Sequence, residues 1–189
     1  LADAASAANE EIEFERAAKD CLDILCKSQG WAAGRLWLVQ EEQMIIATEI
    51  FHLEHPEGMC ARMNEAAQES KNHTFARRVV DSGSGVLVST TLGDEEQWQG
   101  SLGELMDMHS QFAWPVFSGG AVTAVIEFFS FHDIEFDERT KNLLNHVALQ
   151  LSHVRGREEA REQIESMAYS DLVTGLPNRY AFEREMSRT

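Results

Sequence analysis

Residues 112–130 read F-A-W-P-V-F-S-G-G-A-V-T-A-V-I-E-F-F-S, two apolar runs on either side of Ser118-Gly119-Gly120. β-Branched and aromatic residues suit a pleated surface, and Gly-Gly between two such runs favours the primed turns whose twist matches paired strands. The stretch is therefore read as a β-hairpin. Pro115 has no N–H to give to a ladder, so its strand is expected to bulge or lie locally unpaired there.

Working outward, Asp133, or Asp137 after Phe136, is placed to start a helix that meets no strong breaker from about 137 to 170. Upstream, G-V-L-V-S-T at 85–90 reads as a strand. Before it, two helices are expected at about 59–70 and 72–82, after a turn at Pro56-Glu57-Gly58 and ending at Gly83 and Gly85. The stretch 91–103, with Gly93, Gly100 and Gly103, reads as a long loop, and 102–110 as a short helix. Residues 34–40 and 43–51, separated by Glu41 and Glu42, form a second hairpin. At the start, Glu10, Glu11, Glu13 and Glu15 favour a helix N-terminus. The apolar stripe Phe14, Ala18, Cys21, Leu22 and Leu25 carries that helix over about 10–28, behind a 1–9 extension.

Helix, two strands, helices, a strand, a loop, a hairpin and a long final helix describe an α+β domain around an antiparallel sheet of five or six strands. Its 189 residues include 43% hydrophobic ones, enough for one well-buried domain with extensions. The net charge of −16, from 32 acids and 16 bases, would repel a phosphate backbone or an anionic bilayer. Nucleic-acid and membrane-surface partners are thereby disfavoured. No apolar run approaches bilayer-spanning length, and three cysteines (Cys21, Cys26, Cys60) lack metal-ligand spacing, which points to a reduced, cytoplasmic setting. The chain opens at Leu1 rather than Met, as an excised segment would, and an upstream anchor is compatible with it.

The hairpin with its aromatic end, followed by F-D-E-R-T-K-N-L-L-N-H-V-A-L-Q-L at 136–151, resembles the closing hairpin and C-terminal helix of bacterial GAF sensor domains. The resemblance runs over about 10–153. It implies a sheet flanked by helices, and a ligand held between the sheet and the elements covering one face. By position that pocket would draw on Phe75, Arg78, Trp98, Met106, His109, Phe112 and Trp114, with Glu127 near the hairpin. The same residues are ordinary core and loop material. Aromatic walls with a few polar groups suit a small flat ligand.

Specific cofactors find little support. The N-K...F-x-x-x-D-E signature of cyclic-nucleotide GAF domains is not intact, and Cys60 precedes Ala61 where bilin-binding relatives commonly have Cys-His. His52 with His55, and His146 with His153, each lack a third convergent ligand, so no metal or haem is indicated.

Residues 171–182 read D-L-V-T-G-L-P-N-R-Y-A-F. Asp171 and Thr174 offer short capping acceptors, Gly175 allows positive φ and Pro177 removes a donor, so a turn precedes a new helix. The run resembles the opening segment of GGDEF domains, D-x-L-T-G-L-x-N-R-R-x-F. It matches at Asp171, Thr174, Gly175, Leu176, Asn178, Arg179 and Phe182, and departs at Val173 and Tyr180. That family converts two GTP into cyclic di-GMP with metal-binding acids far downstream of this segment. The resemblance thus implies a truncated GGDEF start at 171–189, its GTP and Mg sites absent, behind a helical linker at 154–170.

Leu144, Val147, Leu151 and Val154 step by three, four and three, a seam that fits a partner helix in a parallel homodimer. Ile164 resumes the stripe after a phase slip near Gly156, so 155–162 is expected to form a two-register joint. The other reading is that 143–154 packs on the sheet of its own domain. Functionally the chain reads as the sensor module of a diguanylate cyclase, not itself an enzyme, signalling through a coiled coil to its own GGDEF domain. The alternatives are a dimerisation scaffold without ligand, or a GAF-type methionine sulfoxide reductase, which would need a nucleophilic and a resolving thiol at the pocket.

Overall fold

The computed structural model describes residues 2–53, 74–89, 108–134 and 136–169. The expected helix at 59–70, the 91–103 loop, His55, Cys60, Trp98, Met106 and the whole of 171–189 lie outside the described residues.

Helix α1 spans Ala2–Gln29, β1 Ala33–Val39 and β2 Ile45–Leu53, with a 3-10 turn at Glu41–Gln43 between the strands. Helix α2 covers Thr74–Ser82, β3 Val86–Ser89, β4 Ser110–Ser118, β5 Ala121–Ser130 and α3 Glu138–Tyr169. The strands form one antiparallel sheet in the order β2-β1-β5-β4-β3. The two hairpins read from the sequence are thus β1–β2 and β4–β5, joined through the β1·β5 pairing.

Local chemistry explains the elements. Gly119 and Gly120 sit at φ 56° and 84°, the left-handed pair that a primed two-residue turn demands. Asp137 caps α3, its Oδ1 accepting from the Thr140 N–H at 2.8 Å. Three expectations shift. Helix α1 begins at Ala2, so residues 2–9 continue it rather than precede it. Position 109 is a bend and Ser110 already opens β4, where a short helix was expected to end. Pro115 pairs with Val125 in register, and the bulge falls between Val116 and Phe117. Because β3 begins at Val86, opposite Ala113, no β3 residue faces the proline.

Both faces of the sheet are covered, which is why β5 reads as an almost continuous apolar run. On one face Ala124, Ile126 and Phe128 join Leu36, Phe112 and Val116 beneath α1 (Phe14, Ala18, Leu22, Leu25) and α3 (Leu144, Ala148, Leu151). On the other, Val125 and Phe129 join Ala33, Trp37, Val88 and Ala113 beneath α2 (Phe75, Ala76, Val79, Val80). Gly34 lets α1 approach β1 closely: a Cβ there would lie 3.0 Å from Cys26 Sγ and from Leu22 Cδ2.

The 3-4-3 seam of α3 is spent inside the protomer. Leu144 and Leu151 are fully buried against the sheet, with Val147 and Val154 packed beside them, so these side chains are not offered to a partner helix. A coiled-coil seam and the inward stripe of a globular helix share nearly the same period, and periodicity alone does not distinguish them. Helix α3 also runs unbroken through Gly156, and Glu158 one half-turn on is buried. Ile164 is exposed.

Candidate functional site

The α2 face of the sheet is apolar except at its centre. Glu127 on β5 is directly opposite Arg35 on β1, while Trp37 and Gln111 occupy diagonal positions on β1 and β4. Period-two alternation therefore brings all four side chains to the α2 face. Arg35, Gln111 and Glu127 are each at least 98% buried.

The contacts are specific. Glu127 Oε2 accepts from Trp37 Nε1 and Oε1 from Gln111 Nε2, both at 2.6 Å. The Arg35 guanidinium lies 4.6 Å from the Trp37 ring centroid and donates to the Thr48 carbonyl at 3.1 Å. Thr48 reaches that position because β2 bulges between the partners of Arg35 and Trp37; its Oγ1 in turn donates to the Leu36 carbonyl at 2.6 Å.

Burial pushes the Glu127 carboxyl upward, while the two donors and the Arg35 charge pull it back without cancelling the rise. Burial likewise lowers Arg35, opposed by the charge of Glu127. The arrangement is a preorganised carboxyl within an aromatic and aliphatic surround, able to accept from a ligand through its remaining lone pairs or to hold a proton.

The sequence-derived residues divide between the two faces. Phe75 is buried on α2 in the same hydrophobic cluster as Trp37, and the Arg78 guanidinium lies 5.9 Å from the Phe75 ring. His109 is exposed at the bend before β4, its backbone N–H donating to the Ser130 carbonyl at 2.8 Å. Phe112 and Trp114 lie on the other face, separated from Glu127 by the sheet. Phe112 stacks on Phe128 at 5.0 Å and meets Trp31 edge-on at 4.7 Å, and Trp114 Nε1 donates to Asn145 Oδ1 on α3 at 3.2 Å. The reason is parity: with Gln111 and Ala113 facing α2, Phe112 and Trp114 must face α3.

Arg35, Trp37 and Gln111 escaped the sequence reading. The available signal was a lone charge inside each of two apolar central strands, Arg35 in β1 and Glu127 in β5, a pattern that costs free energy unless the charges meet.

Other polar groups gather on the α1 face. His52 Nδ1 lies 2.7 Å from Asp23 Oδ1, which also accepts from Lys19 Nζ at 2.5 Å. Burial would raise Asp23, but the hydrogen bonds from Lys19 and His52 outweigh it and hold the carboxyl below its usual range. Cys26 is buried against Gly34, and the Cys21 thiol is raised by burial and by the Asp20 charge. Neither thiol is on the Glu127 face. Among the described residues no group of three or more His, Cys, Asp or Glu is placed to hold a metal ion, and no helix is long and apolar enough to cross a membrane.

Comparison with known proteins agrees with this architecture. The GAF domain family model matches residues 11–154. The chain is similar in structure to the GAF domain region of a Geobacter sulfurreducens protein, with a TM-score of 0.62 and 18% identity, covering 79% of this chain and 97% of that one. It is also similar to free methionine-R-sulfoxide reductase from Neisseria meningitidis in complex with its substrate (TM-score 0.57, 17% identity, covering 83% and 86%). A third likeness is to the phycoerythrobilin-bound GAF domain of a cyanobacterial phytochrome (TM-score 0.55, 9% identity, covering 82% and 99%). At these identities the likeness is one of fold. No curated protein matches the chain.

Proposed function

This chain belongs to the GAF domain family, and from that premise we propose that it is a regulatory sensor that binds a small molecule on the α2 face and reports occupancy through α3. The observation that carries the reading is the buried Arg35–Glu127 cross-strand pair, braced by Trp37 and Gln111 on the central strands. Buried charges on an otherwise apolar face are costly for folding alone and useful for recognition. The ligand would rest against Glu127 and Trp37 beneath Phe75, with Arg78 and His109 as further contacts.

The output follows from the sequence. In this reading the sensor spans 10–153, a helical linker 154–170 and a GGDEF start 171–189, so that the output would be that of a diguanylate cyclase in the cytoplasm. Asp171, Thr174, Gly175, Leu176, Asn178 and Arg179 support that assignment. Two such domains each bring one GTP, so the spacing and rotation of paired α3 helices would set the rate. Pairing would use the outward stripe of α3, where Leu149 and Ile164 are 52% and 68% exposed and Ser152 and Gly156 leave room for close approach. The reductase alternative is disfavoured by Cys21 and Cys26, which sit across the sheet from Glu127, Cys21 with its thiolate suppressed.

The decisive experiment is mass spectrometry of small molecules released from the purified chain, with an absorption spectrum for haem, flavin or bilin. A compound released from the native chain but not from Glu127→Ala supports the sensor. A colourless, empty preparation favours the scaffold reading. The chain by itself should not turn over GTP, and measurable cyclic di-GMP from it would overturn the domain assignment.

A further inference from the structure

The β4–β5 hairpin carries Gln111 and Glu127 toward the α2 face, and its turn end reaches the outgoing helix. Ser118 Oγ donates to Glu159 Oε2 at 2.5 Å. Within the same turn of α3, Glu158 Oε1 accepts from the backbone N–H of Phe14 on α1 at 2.6 Å. Arg155 bridges the two acids, its Nη1 3.6 Å from Glu158 Oε2 and its Nε 3.3 Å from Glu159 Oε1, and its guanidinium lies 5.6 Å from the Phe14 ring centroid. Beyond this point the described side chains Ala160, Arg161, Gln163 and Ile164 are exposed. Residues 155–159 are thus where the helix leaves the domain.

The Phe14 contact is chemically unusual. A backbone N–H inside a helix ordinarily bonds the carbonyl four residues back, whereas carboxylate acceptors belong at helix starts. Phe14 is the thirteenth residue of α1, yet a 97% buried carboxylate sits on its N–H. An apolar side chain would pack at position 158 without desolvating a charge. A buried ionic contact on a helix interior is instead offset by desolvation, and both charges regain hydration if it opens.

We propose that Arg155, Glu158 and Glu159 form a releasable clasp that ties α3 to α1 and to the β4–β5 turn, and that opening it frees α3 downstream of Val154. The hairpin is the element that works the clasp, because a tilt of β4 and β5 at Glu127 moves Ser118 against Glu159. This second half rests on the α2 face being the ligand site. The expected two-register joint at 155–162 becomes, in this account, a fastened joint with a docked and an undocked state.

Hydrogen exchange of the 189-residue chain by NMR tests both halves. In Glu158→Ala, amides from Phe14 to Ala18 and from Gly156 to Ala160 should exchange about tenfold faster or more, with Leu144–Leu151 still protected. Glu158→Gln keeps an acceptor for the Phe14 N–H and should recover part of that protection. Unchanged exchange at both segments in Glu158→Ala overturns the clasp. If that variant does not fold, Ser118→Ala carries the test through faster exchange at 156–160 alone. For the coupling, Glu127→Gln should change exchange at Phe14 and 156–160 as well as around Trp37. A change confined to the neighbourhood of Trp37 overturns transmission by the hairpin while leaving both the clasp and the ligand site standing.

Discussion

Replacing Glu127 by Ala is the most informative perturbation of the sheet face. It leaves the Trp37 indole N–H and the Gln111 amide without the acceptor each holds at 2.6 Å, and it removes the charge opposite a guanidinium that is 98% buried. An unsatisfied buried donor costs about 1–3 kcal/mol, and breaking a buried charge pair from one side costs about 3–5 kcal/mol. These overlap, so we expect a loss of about 3–5 kcal/mol, or a fall in Tm of roughly 10 °C for a domain of this size. Adding Arg35→Met removes the stranded charge, so the double variant should recover at least about 1 kcal/mol of the summed single losses. The pH dependence has a fixed sign. Because the folded-state pKa of Glu127 is raised, the native state binds more protons than the unfolded chain, and this group's contribution falls as pH rises from the unfolded pKa of about 4.3 through the folded value. Glu127→Gln should lose that decline, since an amide does not ionise. Urea unfolding of the four combinations at pH 7, and of native and Glu127→Gln proteins from pH 4 to 8, measures all of this. Strict additivity of the Ala and Met variants, or identical pH profiles, would refute the argument that the pair is one coupled unit.

Leu151→Asp should unfold the domain rather than merely separate subunits, at about 3–5 kcal/mol, because Leu151 is 1% exposed in its own core; thermal unfolding at two protein concentrations distinguishes these. Leu149→Asp with Ile164→Asp should leave stability within about 1 kcal/mol while abolishing self-association, read by light scattering. Gly34→Ala forces a Cβ to 3.0 Å from Cys26 Sγ and Leu22 Cδ2, and calorimetry should show a loss of about 1–3 kcal/mol as α1 shifts. Asp23 has a lowered folded pKa, so its contribution is complete above the unfolded value of about 3.9 and lost as pH falls through the folded one. Asp23→Asn should therefore show a shallower acid loss than the native chain in denaturant unfolding between pH 5 and 3, by up to about 1 kcal/mol.

What the sequence determined is what a few consecutive residues settle between them. Gly119-Gly120 dictated the turn, Asp137 the start of α3, the runs of β-branched and aromatic residues the two hairpins, and Gly83 the end of α2. Those signals are local, and the physics behind them acts within one turn or one hairpin. Partners distant along the chain belong to the tertiary structure. Trp37 and Glu127 meet across 90 positions, and only the β1·β5 register places them on one face while sending Phe112 and Trp114 to the other. A one-residue change in that register would reverse the assignment of every side chain. Likewise Leu144 and Leu151 advertised an apolar stripe without saying what would cover it. Glu158 is buried because α1 lies across it, and burial is decided by which surfaces meet.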